Sequence, residues 1–128
     1  MAADAPAGKT VLVVEDNRTE REGLATILLS EGYAVATAAD SAEALALLRA
    51  GTAPCLILLD MMLPGKDGWD FLSEHRRDPR LGAVPVIITT ALGVASPEWA
   101  HSLGAAACFR KPLPVPALLD EVRRHCAA

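Results

Sequence analysis

No stretch of this sequence is long and apolar enough to cross a membrane, and its first residues lack the basic-then-apolar order of an export signal. A basic excess is missing too. The 12 Lys and Arg stand against 16 Asp and Glu, a net charge of −4, which is the wrong sign for an electrostatic grip on nucleic acid. Cysteine is scarce: Cys55, Cys108 and Cys126 are odd in number, far apart and outside CxxC spacing. That pattern argues against a disulfide framework or a zinc site, and the three read as separate thiols in a reducing cytosol. The histidines do not cluster either, and His75, His101 and His125 read as surface positions on helices. A glycine-rich phosphate cradle is also absent. The first strand-to-helix turn is Glu15-Asp16-Asn17-Arg18, whose acids would repel a pyrophosphate, and this argues against a dinucleotide- or flavin-binding domain.

What is present is apolar and punctuated. Hydrophobic residues make up 52% of 128, enough for one domain with its own core. Residues 1–9 read as a flexible tail and 10–128 as the domain. Residues 10–14 are β-branched and apolar, a buried strand. Asn17 then caps a helix, with Glu20 as the second half of a capping box, Leu24, Ile27 and Leu28 as its apolar stripe and Gly32 as its stop. Residues 33–38 form a short strand. Asp40 or Ser41 caps the next helix, whose inward face is Leu45, Leu47 and Leu48. Residues 55–60 are five apolar side chains running into Asp60, the mark of a strand buried on both faces with its charge at the mouth.

The loop after Asp60 carries Pro64, Gly65 and Gly68, and a helix over about 69–76 buries Phe71 or Leu72. Residues 74–80 read as a solvated turn. A fourth strand covers 84–90. Ser96 and Pro97 open a helix that Gly104 stops, a fifth strand covers 106–110, and a last helix turns Leu118, Leu119 and Val122 inward. Trp69 and Trp99 read as partial core. The pattern is a strand and a helix repeated five times: an α/β fold with a doubly wound five-stranded parallel sheet of order 2-1-3-4-5, a flavodoxin-like three-layer sandwich.

The strand ends carry the chemistry. In this order strands one and three are neighbours, and Glu15, Asp16 and Asp60 converge on one sheet edge with Thr90 and Lys111 from strands four and five. Three carboxylates against one ammonium leave a negative pocket that favours a hard cation, and oxygen ligands suit Mg²⁺. With the cation added, Thr90 and Lys111 remain to hold phosphate oxygens, so the site suits phosphoryl transfer better than proton chemistry.

These pieces, Val-Val-Glu15-Asp16-Asn17, Leu-Leu-Asp60-Met-Met-Leu-Pro64-Gly65-Lys-Asp-Gly68, Pro85-Val-Ile-Ile-Thr-Thr90-Ala91 and Lys111-Pro112, resemble the receiver domain of two-component response regulators over roughly residues 10–126. The resemblance implies that Asp60 takes a phosphoryl group from a phosphohistidine on a histidine kinase or histidine phosphotransfer protein. It implies Mg²⁺ held by Asp16, Asp60 and the Met62 backbone carbonyl, with Glu15 acting through a water. Thr90, Ala91, Met62 and Lys111 would bind the phosphoryl oxygens, and the Lys111–Pro112 bond would be cis. The readout would be a shift of the Thr90 hydroxyl and of the face formed by the fourth helix of that pattern, the fifth strand and the last helix, in a cytoplasmic signalling protein that can dimerise when phosphorylated.

Two departures stand out. Receivers carry an aromatic switch residue three positions before the lysine, where this chain has Cys108, and Phe109 next to it should point to the opposite face, into the core. The segment 92–97 is apolar where relatives are often polar, and could mark a partner surface. The competing reading is a hydrolase or phosphatase with Asp60 as nucleophile, which wants a second acid two residues on, where Met62 stands. A receiver piece of a hybrid kinase or larger regulator is the other alternative.

Overall fold

The structure, a computed structural model, describes residues 9–62, 68–93 and 95–126. Its centre is a five-stranded parallel sheet of β1 (Thr10–Val14), β2 (Ala34–Ala38), β3 (Leu56–Asp60), β4 (Val86–Thr90) and β5 (Ala107–Arg110), in the order β2-β1-β3-β4-β5. The helices are α1 (Arg18–Ser30), α2 (Ser41–Arg49), α3 (Gly68–Arg77), α4 (Pro79–Gly82), α5 (Pro97–Ser102) and α6 (Val115–Cys126). Every residue of β3 and β4 is buried, as strands covered on both faces require.

Alternation along the strands divides the core in two. Leu12, Val14, Ile57, Leu59 and Ile88 face α2, α3 and α5, meeting Leu45, Phe71 and Ala100. Val11, Val13, Leu56, Leu58 and Ile87 face α1 and α6, meeting Leu24, Leu28, Leu118 and Val122. Cys108 packs on the first side and Phe109 on the second, so Phe109 turns away from Cys108 as its alternation requires and packs, half-buried, against the core.

Local capping follows the sequence at several points. Asn17, Asp40 and Ser96 each accept a backbone N–H three residues on, and Gly32, Gly51 and Gly104 leave their helices with φ of +94°, +113° and +82°. The second half of the expected capping box is not made by Glu20. The Asn17 N–H donates to Glu15 Oε2 at 3.1 Å instead, which releases the Glu20 side chain for another partner.

Other expectations are corrected. Residues 74–80 are not a solvated turn: α3 runs on to Arg77, and Asp78 caps the one-turn helix α4, which buries Leu81. The five strand–helix units stand, and the one-turn α4 within the third crossover makes six helices among the described residues. His75 is not a surface residue. It is 4% exposed, and its Nε2–H donates to the Val84 carbonyl at 2.7 Å, because the end of α3 packs against the segment that leads into β4. His101 is exposed as expected, and His125 is half-buried. Trp69 is 40% exposed and meets the half-buried Trp99 edge-on at 6.2 Å, linking α3 to α5.

Cys55 and Cys126 are not separate thiols but form a disulfide with a Cα–Cα distance of 5.4 Å. They are 71 residues apart in sequence, yet α6 runs back under the sheet and ends beside the residue that precedes β3. Cys108 is the free thiol among the described residues. Residues 1–8 of the expected tail, the loop positions Pro64 and Gly65, and Val94 of the apolar segment lie outside the described residues. No described helix is long and apolar enough to cross a membrane.

Candidate functional site

The register of the sheet aligns the strand ends. Val14 pairs with Leu59, Asp60 with Thr89 and Thr90 with Arg110, so Glu15, Asp60, Thr90 and Lys111 leave one edge together. Lys111 is tied there by its own backbone, whose N–H donates to the Thr90 carbonyl at 2.7 Å, and the following Lys111–Pro112 bond is cis, as the resemblance implied. Asp16 stands exposed at the rim, and its carboxylate groups with those of Glu15 and Asp60 within 4.8 Å. That is a hard-oxygen donor set, one exposed acid and two buried ones, and it fits a divalent cation such as Mg²⁺.

The Lys111 ammonium sits among the acids. Its Nζ donates to Glu15 Oε1 at 2.8 Å and to Asp60 Oδ2 at 3.2 Å. The other Asp60 oxygen, Oδ1, accepts the Met62 N–H at 2.9 Å, so a backbone donor is already aimed at this carboxylate. Asp60 is 4% exposed and Glu15 2%. Burial pushes the Glu15 carboxyl up to about 7, against the hydrogen bonds from Lys111 and Asn17 and with the help of the nearby Asp60 charge. Burial opposes the Lys111 charge as well, but its bonds to Glu15 and Glu20 and the Asp60 charge outweigh this and raise its pKa.

Thr90 is fully buried, and its hydroxyl oxygen accepts the Leu92 N–H at 3.0 Å, which fixes the turn after β4. Ala91 follows it and is exposed, as is Met62. Cys108 lies away from this edge. Its thiol donates to the Ser96 carbonyl at 3.3 Å and so ties β5 to the cap of α5. Beside it a groove of about 890 Å³ runs between α5 and α6, lined by Pro97, His101, Cys108, Phe109, Ala117 and Glu121.

Two residues of the site were not anticipated from the sequence. Glu20 Oε1 accepts from Lys111 Nζ at 2.8 Å, and the Arg21 guanidinium donates to the carbonyls of Glu15 at 2.9 Å and Asp16 at 3.2 Å. Glu20 lies in the first turn of α1, and nothing local in the sequence links it to Lys111.

A parallel sheet in this order, with three acids, a buried threonine and a lysine on its carboxyl edge, defines a receiver-type α/β domain. The family profile of the response regulator receiver domain matches residues 11–123, and the chain belongs to that family, the receivers of two-component systems. It is 43% identical over 117 residues to the response regulator FleR of Pseudomonas aeruginosa, covering 90% of this chain and 24% of that protein. It is 41% identical over 110 residues to a response regulator receiver protein of an Anaeromyxobacter species, covering 85% of this chain and 45% of the relative. The chain thus spans less than half the length of these relatives. Among solved structures, the receiver domain of a sensor histidine kinase from Pseudomonas aeruginosa, with magnesium coordinated in its active-site cleft, superposes with a TM-score of 0.82 at 28% identity, covering 95% of this chain and all of that one.

Proposed function

We propose that Asp60 is the phosphoacceptor of a signalling switch, taking its phosphoryl group from a phosphohistidine on a histidine kinase or histidine phosphotransfer protein. The observation that carries this reading is the buried Asp60 carboxylate held between the Lys111 ammonium and the Met62 N–H, beside two further acids. An Asp60 oxygen forms a bond to phosphorus as the P–N bond to the donor imidazole breaks, and the electron pair leaves on the ring nitrogen. Asp16, Asp60 and the Met62 carbonyl would hold Mg²⁺, with Glu15 acting through a water. Bound there, the ion neutralises charge on the transferring group and orients it.

The chain's own donors do the rest. Lys111 turns from the Asp60 carboxylate to a phosphoryl oxygen, and the N–H groups of Met62 and Ala91 take others. The Thr90 hydroxyl, which accepts a bond from the Leu92 N–H, rotates to donate to the phosphoryl group. That rotation loosens the turn after β4, and the α5–β5–α6 face shifts its population. With Cys108 at the usual aromatic position, the bond from its thiol to Ser96 is the contact this shift would work against.

The test is intact-mass measurement after incubation with Mg²⁺ and acetyl phosphate. The wild type gains one phosphoryl group and Asp60→Asn gains none. A wild type that gains nothing, where another receiver does under the same conditions, rules the reading out.

A further inference from the structure

We propose that Glu20 is a positioning residue for Lys111, holding its ammonium back from the Asp60 carboxylate. The consequence for phosphoryl gain and loss rests on the phosphoacceptor reading of Asp60.

A lysine ammonium has three N–H donors. Three carboxylates accept from Lys111: Glu15 at 2.8 Å, Glu20 at 2.8 Å and Asp60 at 3.2 Å. The bond to Asp60 is the longest of the three. Glu15 and Asp60 come from strand ends, whereas Glu20 comes from the first turn of α1, so the ammonium is stretched between the sheet edge and the helix. The Glu20 side chain is not spent on the helix cap. Asn17 accepts the Glu20 backbone N–H, and the Asn17 N–H is taken by Glu15.

The burial of the three acids differs. The side chains of Glu15 and Asp60 are 2% and 5% exposed, and that of Glu20 is 47%. Glu20 alone of the three can turn out into water at small cost, since its charge is solvated there. It therefore competes for Lys111 with any oxygen that arrives at Asp60, and it is the partner that yields. Removing its charge lets the ammonium settle closer to Asp60 and Glu15. That strengthens the hold on a phosphoryl group at Asp60 and opposes a cation among the acids.

The test is Glu20→Gln, which keeps side-chain size and leaves the backbone cap bond in place. Three measurements are made. Without any phosphoryl donor, calorimetric titration should show Mg²⁺ binding weakened about two- to fourfold, the size of one half-exposed charge. At saturating Mg²⁺, intact-mass time courses with acetyl phosphate should show faster phosphoryl gain, and after donor removal slower loss, each by a similar factor. Glu20→Asp, which keeps the charge, should fall back toward wild type, and thermal midpoints should stay together. The proposal is overturned if Glu20→Gln equals wild type in all three, or if its rates fall along with its thermal midpoint. If the wild type takes up no phosphoryl group, the phosphoacceptor reading fails, and the Mg²⁺ titration alone still decides whether Glu20 restrains Lys111.

Discussion

Replacing Gly68 with alanine drives a methyl group into the chain that carries Asp60. A Cβ built on Gly68 lies 2.7 Å from both the Cα and the Sδ of Met61 and 3.2 Å from the Asp60 carbonyl oxygen. The thioether can swing aside, but the Met61 Cα is backbone, and ordinary contact begins near 3.4 Å. The start of α3 and the end of β3 must therefore separate by about 0.7 Å. The hydrogen bond between them, from the Gly68 N–H to the Met61 carbonyl at 3.3 Å, is already long and would be lost. Overpacking of this kind costs about 1–3 kcal/mol and the hydrogen bond about 1 kcal/mol, and alanine returns little at the first position of a helix. A net loss of about 3 kcal/mol lowers the melting temperature of a domain this size by about 9–15 °C. The site moves with the backbone, because Met61 precedes the N–H that bonds Asp60 Oδ1. A shift approaching 1 Å there should slow acetyl phosphate uptake by about tenfold or more. Differential scanning calorimetry and intact-mass time courses read the two effects. The control is Gly23→Ala at an exposed position of α1, where nothing lies within 4 Å of the new methyl and stability should rise by about 0.5–1 kcal/mol. A Gly68→Ala protein that melts and reacts like wild type would refute the close approach.

Glu15 gives the domain a pH dependence when no divalent cation is present. Below its unfolded value of 4.5 the carboxyl is protonated in both states, and above about 7 it is ionised in both. Between the two the folded state holds the extra proton, so stability falls as pH rises, by about 3 kcal/mol at most. Urea unfolding of wild type and Glu15→Gln at pH 5 and pH 8 checks this, and an equal difference at the two pH values would count against it. The Cys55–Cys126 disulfide restrains an unfolded chain across 71 residues, so Cys126→Ser should lose about 2–4 kcal/mol. Reductant should bring the wild type to the same urea midpoint, and a midpoint that ignores reductant would contradict the bridge.

The carboxyl-edge site was legible because strand-end residues in a parallel sheet are brought together by topology, whatever the details of packing. An apolar run ending in Asp60, the Glu15-Asp16 turn and the Lys111-Pro112 step each place a residue on the same edge once the strand order is known. The Asn17 and Ser96 caps were legible for a similar reason, since a cap is a bond between residues three apart, and the structure chose Asp40 over Ser41 for the helix between them.

What the sequence left open depends on which elements lie against each other. His75 looked like one more polar residue on a charged stretch, and only the packing of the end of α3 against the segment before β4 buried it and gave it the Val84 carbonyl. Cys55 and Cys126 carry no local sign of one another, and their pairing follows from the path of α6 beneath β3. Glu20 had a local cap role available, which the Glu15 side chain took instead, and Lys111, 91 residues away, became its partner. The sequence by itself therefore determined the order of the strands and of the five longer helices, the strand-end chemistry and the Asn17 and Ser96 caps, all of which are read over a few residues or follow from chain direction. The tertiary structure decided the disulfide, the buried histidine and the third carboxylate on the lysine, because each is a contact between side chains that only packing brings within reach.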